Sequence, residues 1–426
     1  MAEHIKHSDQ QTFEADVLKG GKVVVDFYSS ECPPCDALAP KFEQLAGLYG
    51  SDVRFVKIFR QENRPLATSL GVSSSPTLLF FDNGACVGDK LTGGIKKNDI
   101  IRNLNLLVGE ERGRSMLAGR SVRETETGVL IIGGGIAGLT AAIYLAQAKI
   151  PVIVVDRAMP GGQVSTTHQV SNYPGFIEPE NGYMLMHKTT EQARAAGVQF
   201  RAASEISGID LAGKSVVIDD EETIYAKKII VATGASPRPL SIPGESQFRG
   251  HGISYCAICD AKYYQDKEVI VIGGGSSAVE EACYIAKFAK HVTIVYRGDM
   301  LRANKEAQEK AFAHQNISFL SGHTPAGISK EGEMMVLESR VNADNSMRRL
   351  AADGIFIFIG MFPNLELFPK LFSYDDTGYI KTDALMRTGI DGVYAVGDVA
   401  SKPFRQITIA AAEGTVAALD ISREIG

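Results

Sequence analysis

Runs of apolar residues, spaced by turn signals, divide the chain into strands and helices before any motif is considered. An amphipathic opening stretch leads to Val23-Val24-Val25-Asp26-Phe27-Tyr28, an apolar run that predicts a buried strand. A helical run from about Ala37 to Leu48 follows, then the strand-like Val53-Arg54-Phe55-Val56-Lys57-Ile58 and a helical stretch ending near Gly71. Thr77-Leu78-Leu79-Phe80-Phe81 predicts another strand, closed by a hairpin turn at Asp82-Asn83-Gly84, because Asn-Gly accepts the left-handed backbone of such turns. A last helix of this block begins near Asn98. The stretch 109–127 is polar, rich in Arg and Glu and without sustained periodicity, and reads as a linker.

Beyond it the pattern repeats. Residues 129–157 (VLIIGGGIAGLTAAIYLAQAKIPVIVVDR) and 269–297 (VIVIGGGSSAVEEACYIAKFAKHVTIVYR) share strand, glycine turn, helix and strand. Gly133 to Asp156 and Gly273 to Tyr296 are both 23 residues apart, so two βαβ units of matching length are predicted. Residues 392–398 read as another short strand ending in an acid, followed by a C-terminal helix but no new βαβ unit. That tail is expected to complete the first nucleotide domain. The predicted fold class is therefore α/β: an N-terminal unit (1–108), a first nucleotide domain in two parts (128–241 and 365–426), and a second (242–364) inserted into it.

Composition narrows the reading. A chain of 426 residues with 45% hydrophobic and 22% charged residues and 43 glycines fits an α/β protein of several domains. The net charge of −6 leaves no basic footprint for nucleic acid. The start lacks a basic-apolar-small signal pattern and no apolar run reaches about eighteen residues, so neither export nor membrane insertion is expected and a cytoplasmic location is. Four of the six cysteines form two C-x-x-C pairs, which in such a chain read as redox-active. Zinc would need two further ligands for each pair, and none lies nearby at metal spacing, so no metal is expected. Cys86 and Cys283 stand alone and are expected simply to pack.

The motifs carry specific chemistry. In Gly133-x-Gly135-x-x-Gly138 the glycines permit a tight turn and close backbone approach, and the following helix offers free N–H groups to a pyrophosphate. Asp156, ending the second strand, suits an adenosine ribose and would repel a 2′-phosphate. The second loop reads Gly273-x-Gly275-x-x-Ala278, and its strand ends in Tyr296-Arg297, with Arg302 beyond. Guanidinium in place of carboxylate suits a 2′-phosphate, so this cradle is expected to take NADP. Cys256 and Cys259 lie just ahead of it, beside Asp260, which can supply or remove a proton during dithiol chemistry. Cys32 and Cys35 open a helix whose N-terminus stabilises a thiolate, and Pro33 and Pro34 fill its first turn without loss of a needed N–H. Asp26, in an apolar strand with Lys57 as charge partner, is expected to have a raised pKa and to accept the proton of Cys35. Ser75-Pro76 is a candidate cis peptide that presents backbone to a docking peptide. The plainer alternatives are a helix cap for Asp260, solvated surface charges for Arg297 and Arg302, and a surface-facing pair for Asp26 and Lys57.

These residues carry a family resemblance. Residues 128–426 resemble a low-molecular-weight thioredoxin reductase through GGGIAG, GGQVSTT (161–167), SNYPGF (171–176), IIVATGA (229–235), CAICD, GGGSSAVEEA, GMFPN (360–364) and AVGDVASKPFRQ (395–406). Residues 1–108 resemble thioredoxin through VVVDFYSSECPPC, SSPTLLFFDNG and a GG-x-x-K element (93–97). The resemblance implies a thioredoxin fold followed by two Rossmann-like domains. It implies FAD in the first, with Gly162, Gln163 and Asn172 near the flavin, Asp398 on the ribityl chain, and Arg405 and Gln406 near the isoalloxazine. It implies that Cys259 is the flavin-proximal thiol, that Cys256 attacks the partner disulfide, and that Asp260 is the acid.

The reductant implied is NADPH, with NADH possible. Family members are homodimers whose NADPH domain rotates, and Ile242-Pro243-Gly244 and Met361-Phe362-Pro363 have hinge-like composition. Electrons would then pass from NADPH through FAD and Cys256–Cys259 to Cys32–Cys35 and on to client protein disulfides. One alternative is a dedicated donor to a peroxiredoxin, as in alkyl hydroperoxide reductase flavoproteins, which carry a doubled N-terminal domain. Another, a redox-sensing or binding module, is opposed by the intact motifs. Three departures stand out: Glu31 replaces the usual Trp before the first cysteine, Pro33 replaces the Gly after it, and Tyr296-Arg297-Gly298 replaces His-Arg-Arg.

Overall fold

The computed structural model describes residues 4–118, 122–167, 170, 172–368 and 370–425. Residues 119–121 of the expected linker and Ser171 of the SNYPGF motif lie outside them. The N-terminal unit forms around the apolar run: Val23, Val24, Val25 and Phe27 of the strand Lys22–Tyr28 are inaccessible to solvent. Apolar side chains point to both faces there because helices cover both faces. The sheet runs Ile5–Ser8, Arg54–Phe59, Lys22–Tyr28, Thr77–Asp82, Ala85–Thr92, with the first three strands parallel and the last two antiparallel. Helices Pro33–Tyr49 and Lys97–Val108 seal one face through Phe42, Leu45, Ile100 and Leu104, while Val17 and Ala67 pack on the other. Asn83 and Gly84 both have positive φ in the hairpin turn, and the Ser75–Pro76 peptide is cis.

The described residues of the expected linker are structured instead. Residues Glu110–Leu117 form a helix, and Arg123 already opens the strand Arg123–Ile132. The helix folds back on the N-terminal unit: a Cβ on Gly113 would sit 2.0 Å from Asn105 Oδ1, Arg112 pairs with Asp52 at 3.0 Å, and Met116 and Leu117 join the core. Its contact face is a glycine and two terminal apolar residues, too little for periodicity to show. Tertiary packing holds it helical. Cys86 also departs from expectation, being exposed because Ala85–Thr92 is an edge strand. Cys283 packs half-buried against the core of the inserted unit.

The two βαβ units are built alike. Strand Arg123–Ile132, helix Ile136–Gln147 and strand Val152–Val155 match Glu268–Ile272, Ser276–Ile285 and His291–Val295, each strand pair parallel. In the first unit the sheet orders Gln199–Arg201, Val152–Val155, Arg123–Ile132, Glu222–Val231, Ser215–Ile218, Ile206–Asp210, and Val393–Ala395 adds parallel to Glu222–Val231. The C-terminal helix Ile407–Ile425 crosses Ile136–Gln147 closely, with room at Gly414 for no side chain beside the Ala137 carbonyl. The tail thus completes the first unit. The second has a parallel sheet ordered Ile253–Ser254, Gly354–Ile357, Glu268–Ile272, His291–Val295, Ile317–Leu320, backed by an antiparallel layer, His323–Glu331, Met334–Val341, Met347–Ala352. The chain enters and leaves this insert along one antiparallel ribbon, Ala235–Pro237 against Met361–Pro363.

The N-terminal unit docks on the first nucleotide unit through charge. Lys97, 2% exposed, pairs with Glu221. Gln44 joins both, accepting from Lys97 Nζ at 2.7 Å and donating to Glu221 Oε2 at 2.8 Å. Lys41 Nζ donates to the carbonyls of Ile95, Ala202 and Ala203 at 3.3, 3.0 and 2.6 Å, and burial pulls its pKa down to about 8. Asn98 donates to Glu205 at 2.9 Å, and Gly94 lies against Met159.

Candidate functional site

Each nucleotide cradle starts where a strand meets a helix. Gly133 has φ +111°, and a Cβ there would fall 2.3 Å from the Ala232 carbonyl. A Cβ on Gly138 would fall 2.1 Å from the Gly133 carbonyl, so helix and turn touch backbone to backbone. Gly135 caps the helix, and Gly162 lies over it so closely that its Cβ would reach 3.0 Å from Gly135 Cα. Asp156 accepts N–H bonds from Gly134 at 2.7 Å and Ala158 at 2.8 Å, and burial raises its pKa. Gly397, before Asp398, abuts Ala137 of the same helix. Burial raises the Asp398 pKa, and among the described residues its Oδ1 has no hydrogen-bond partner. Arg405 stacks 3.9 Å from the Tyr379 ring centre, and its Nε is likewise without a partner. Asn172 Nδ2 donates to Gln406 Oε1 at 3.3 Å. A buried acceptor and donor beside a bare glycine turn fit a polar dinucleotide.

The second cradle repeats the first with less crowding. Gly273 has φ +145°, and its Cβ would fall 2.3 Å from the Phe358 carbonyl and 2.8 Å from Ala278. A Cβ on Gly275 would meet no other part of the chain within 4 Å, which leaves this turn open to a phosphate. The Arg302 N–H donates to the Gly274 carbonyl at 2.7 Å, and both Arg297 and Arg302 are exposed.

Both cysteine pairs are disulfides at helix starts, with Cα atoms 5.3 Å apart in Cys256–Cys259 and 5.2 Å in Cys32–Cys35. In each the second cysteine's N–H points at the first sulfur at 3.3 Å, so the first sulfur is the one placed to gain from the helix N-terminus as a thiolate. Ser254 fixes the surroundings of Cys256: its hydroxyl lies 2.6 Å from Asp260 Oδ2 and accepts the Cys256 N–H at 3.1 Å. Tyr255 donates to Glu245 at 2.7 Å and carries Arg249 over its ring, and Arg249 reaches Gln163 Oε1 of the first unit at 3.2 Å. No motif announced Ser254, Glu245 or Arg249. The only sequence signal was their nearness to Cys256.

Asp26 is buried, paired in register with Lys57, and desolvation pushes its pKa up to about 7 against the pull of that lysine. The folded chain therefore holds this proton up to about pH 7, whereas the unfolded chain releases it near 3.8. Stability contributed by neutral Asp26 is full below the unfolded value and is lost as pH rises to the folded one. Asp26→Asn is expected to stabilise the N-terminal unit by about 2–4 kcal/mol above pH 7 and by progressively less as pH falls. Urea unfolding at pH 5 and pH 8 checks this, and an equal gain at both values would refute it.

Two nucleotide cradles flanking a helix-capping disulfide define a pyridine nucleotide–disulfide oxidoreductase. The family model described as pyridine nucleotide-disulphide oxidoreductase matches residues 127–414, and the thioredoxin model matches residues 4–106. A thioredoxin reductase of Peptoclostridium acidaminophilum is 42% identical over 302 residues, 69% of this chain and 96% of that protein. The solved thioredoxin reductase from Streptococcus pyogenes MGAS5005 is 36% identical with a TM-score of 0.66, covering 70% of this chain and 98% of that one. That of Lactococcus lactis, in the FR conformation, is 39% identical over the same shares with a TM-score of 0.50. The more similar sequence superposes less well. The chain belongs to the thioredoxin reductase family and carries a thioredoxin domain ahead of the reductase.

Proposed function

We propose that this disulfide reductase draws on NADPH and FAD, reduces its own thioredoxin domain, and through it reduces the disulfides of client proteins. The observation that carries the reading is the second helix-capping disulfide, Cys32–Cys35, on a thioredoxin sheet docked onto the reductase of the same chain. FAD would be held by Gly133, Gly135, Gly138, Asp156, Gly162, Gln163, Asn172, Asp398, Arg405 and Gln406. NADPH would be held by Gly273, Gly275, Ala278, Arg297 and Arg302. The bound pair supplies the two electrons that open Cys256–Cys259 to a dithiol.

From there the chain's own residues act. Asp260, steadied by Ser254, exchanges the dithiol proton, and Cys256 attacks the Cys32–Cys35 disulfide while Cys259 resolves the bond. Cys32 then attacks a client disulfide, and Asp26 takes the proton of Cys35 as that thiol closes the ring again. The units are 1–108, a connector at 109–127, 128–241 with 365–426, and 242–364. Rotation of the last on its ribbon is supported by the unlike superpositions, and a homodimer in the cytoplasm is the setting proposed. A peroxiredoxin is the candidate dedicated client.

Steady-state kinetics with NADPH and NADH against a panel of protein disulfides test the reading, and no disulfide-dependent turnover with either nucleotide would refute it. The phosphate site allows a sharper check. Gly298 is exposed, and a Cβ there would fall 3.3 Å from the Met300 carbonyl, a tight contact that a shift of a few tenths of an ångström in that backbone would relieve. Gly298→Arg adds a charge-assisted contact and is expected to raise the NADPH/NADH ratio of kcat/KM by about ten- to a hundredfold. An unchanged ratio would show that Arg297 and Arg302 do not face a 2′-phosphate.

A further inference from the structure

Arg60 sets a fixed positive charge beside the Cys32–Cys35 disulfide. Its Nε donates to the Ser75 hydroxyl at 2.8 Å and its Nη1 to the Ser73 carbonyl at 3.3 Å. Ser75 also bonds the Ser29 hydroxyl at 2.6 Å, and its carbonyl oxygen lies 3.6 Å from Cys32 Sγ. Gln61, the next residue, donates to Ser30 at 3.1 Å. The guanidinium is thus gripped by the same segment that touches the sulfur, and its position follows that of the sulfur.

Two of its five N–H groups are used in this grip. A cavity of about 240 Å³ opens beside it, lined by Arg60, Gln61, Arg64 and Thr68. Arg64 brings a second cation to the same cavity. Among the described residues neither arginine forms an ion pair, and Glu62, the acid between them in sequence, is exposed. One arginine held by the segment that touches the reactive sulfur, with a second on the same cavity, leaves a place for a carboxylate that arrives with the substrate.

We propose that Arg60, seconded by Arg64, selects client disulfides that carry an aspartate or glutamate next to the attacked cysteine. The inference rests on the reading that Cys32–Cys35 serves clients. In that exchange the Cys32 thiolate bonds one client sulfur, the client S–S bond breaks, and the other client sulfur leaves as a thiolate. The Cys35 thiolate then displaces the first client sulfur and re-forms Cys32–Cys35. Two electrons and, from solvent and Asp26, two protons end on the client thiols. A bidentate carboxylate–guanidinium contact in the encounter holds the disulfide over Cys32.

The test uses the full chain with Cys256→Ser, Cys259→Ser and Cys86→Ser, reduced chemically at Cys32–Cys35 and mixed with peptide disulfides. Three peptides differ only in Asp, Ser or Lys beside the reactive cysteine. No nucleotide and no transfer from Cys256 is involved, so the outcome stands apart from whether the internal relay runs. At low salt the Asp peptide is expected to react about tenfold faster than the Lys peptide, a preference that shrinks as salt rises. Arg60→Gln keeps a donor for Ser75; it should bring that preference below about twofold and leave the Ser peptide within about twofold of its original rate, while Arg60→Lys keeps part of it. Equal rates for the Asp and Lys peptides, or a preference that survives Arg60→Gln with Arg64→Gln, would overturn the proposal. So would a collapse of the Ser-peptide rate in Arg60→Gln, because Arg60 would then be positioning the sulfur and not choosing the client.

Discussion

Cys32→Ser is expected to abolish reduction of protein disulfides, a loss of about a thousandfold or more, while NADPH oxidation with a small acceptor served by the reductase continues at its native rate. The split follows from the two cysteine pairs standing on different units. Cys32 and Cys35 are about equally buried, at 7% and 8% exposure, but the Cys35 N–H faces the Cys32 sulfur, so the helix N-terminus favours the Cys32 thiolate and Cys35 is not placed to replace it. Mixing Cys32→Ser chains with Cys256→Ser chains under subunit exchange adds the geometry, since only a route across a dimer restores activity. The docked arrangement bears on this result. Among the described residues the thioredoxin unit's hydrogen bonds and ion pairs to the reductase fall on Ala202, Ala203, Glu205 and Glu221 of the first nucleotide unit, not on the insert that carries Cys256. Gly93 bonds the Pro76 carbonyl and Gly94 abuts Met159, so one flank of the Cys32 site faces that unit as well. If Cys32→Ser reduces protein disulfides as fast as the native chain, the thioredoxin domain is off the electron path.

Glu221→Ala is expected to have the next largest effect. It leaves the Lys97 ammonium, 2% exposed, without its carboxylate, and removing one partner of a buried pair costs about 3–5 kcal/mol. The chain has an escape that a core pair lacks: the thioredoxin unit can lift off and return Lys97 and Lys41 to water. The cost is therefore capped by the docking free energy, and the expected outcome is release of an intact domain before loss of its fold. Small-angle scattering should show a larger radius of gyration, and hydrogen exchange should quicken around 93–98 and 202–205 with the sheet core still protected. Unaltered scattering and exchange would mean that the ion pair contributes nothing to the dock.

Much of this was legible in the sequence, for physical reasons that differ from element to element. The glycines at 133, 138 and 273 read correctly because each stands where a Cβ would strike backbone, a local constraint with a local signature. Lys22–Tyr28 read correctly because a strand covered on both faces must be apolar throughout, and the single exception, Asp26, was the informative residue. The segment 109–127 misled for the converse reason. Its helix is held by Gly113 on Asn105 and Arg112 on Asp52, contacts whose partners are remote or whose residue types look like loop. The dock was invisible for the same reason. Lys41, Gln44, Lys97 and Glu221 look like ordinary surface residues until the fold brings them together, and charge alone does not say that it will be buried.

The paired crossing of Ala235–Pro237 and Met361–Pro363 has a consequence for the insert as a piece of protein. Pro237 and Met361 are register partners, so the two ends of everything between them lie a strand-pair width apart, about 5 Å. A two-residue turn could join them and close the first nucleotide unit as a hairpin, while the excised segment keeps its own sheet and core. The insert is built like a cassette, one that recombination or design could lift out, replace with another nucleotide-binding module, or carry to a different scaffold without reopening the fold on either side.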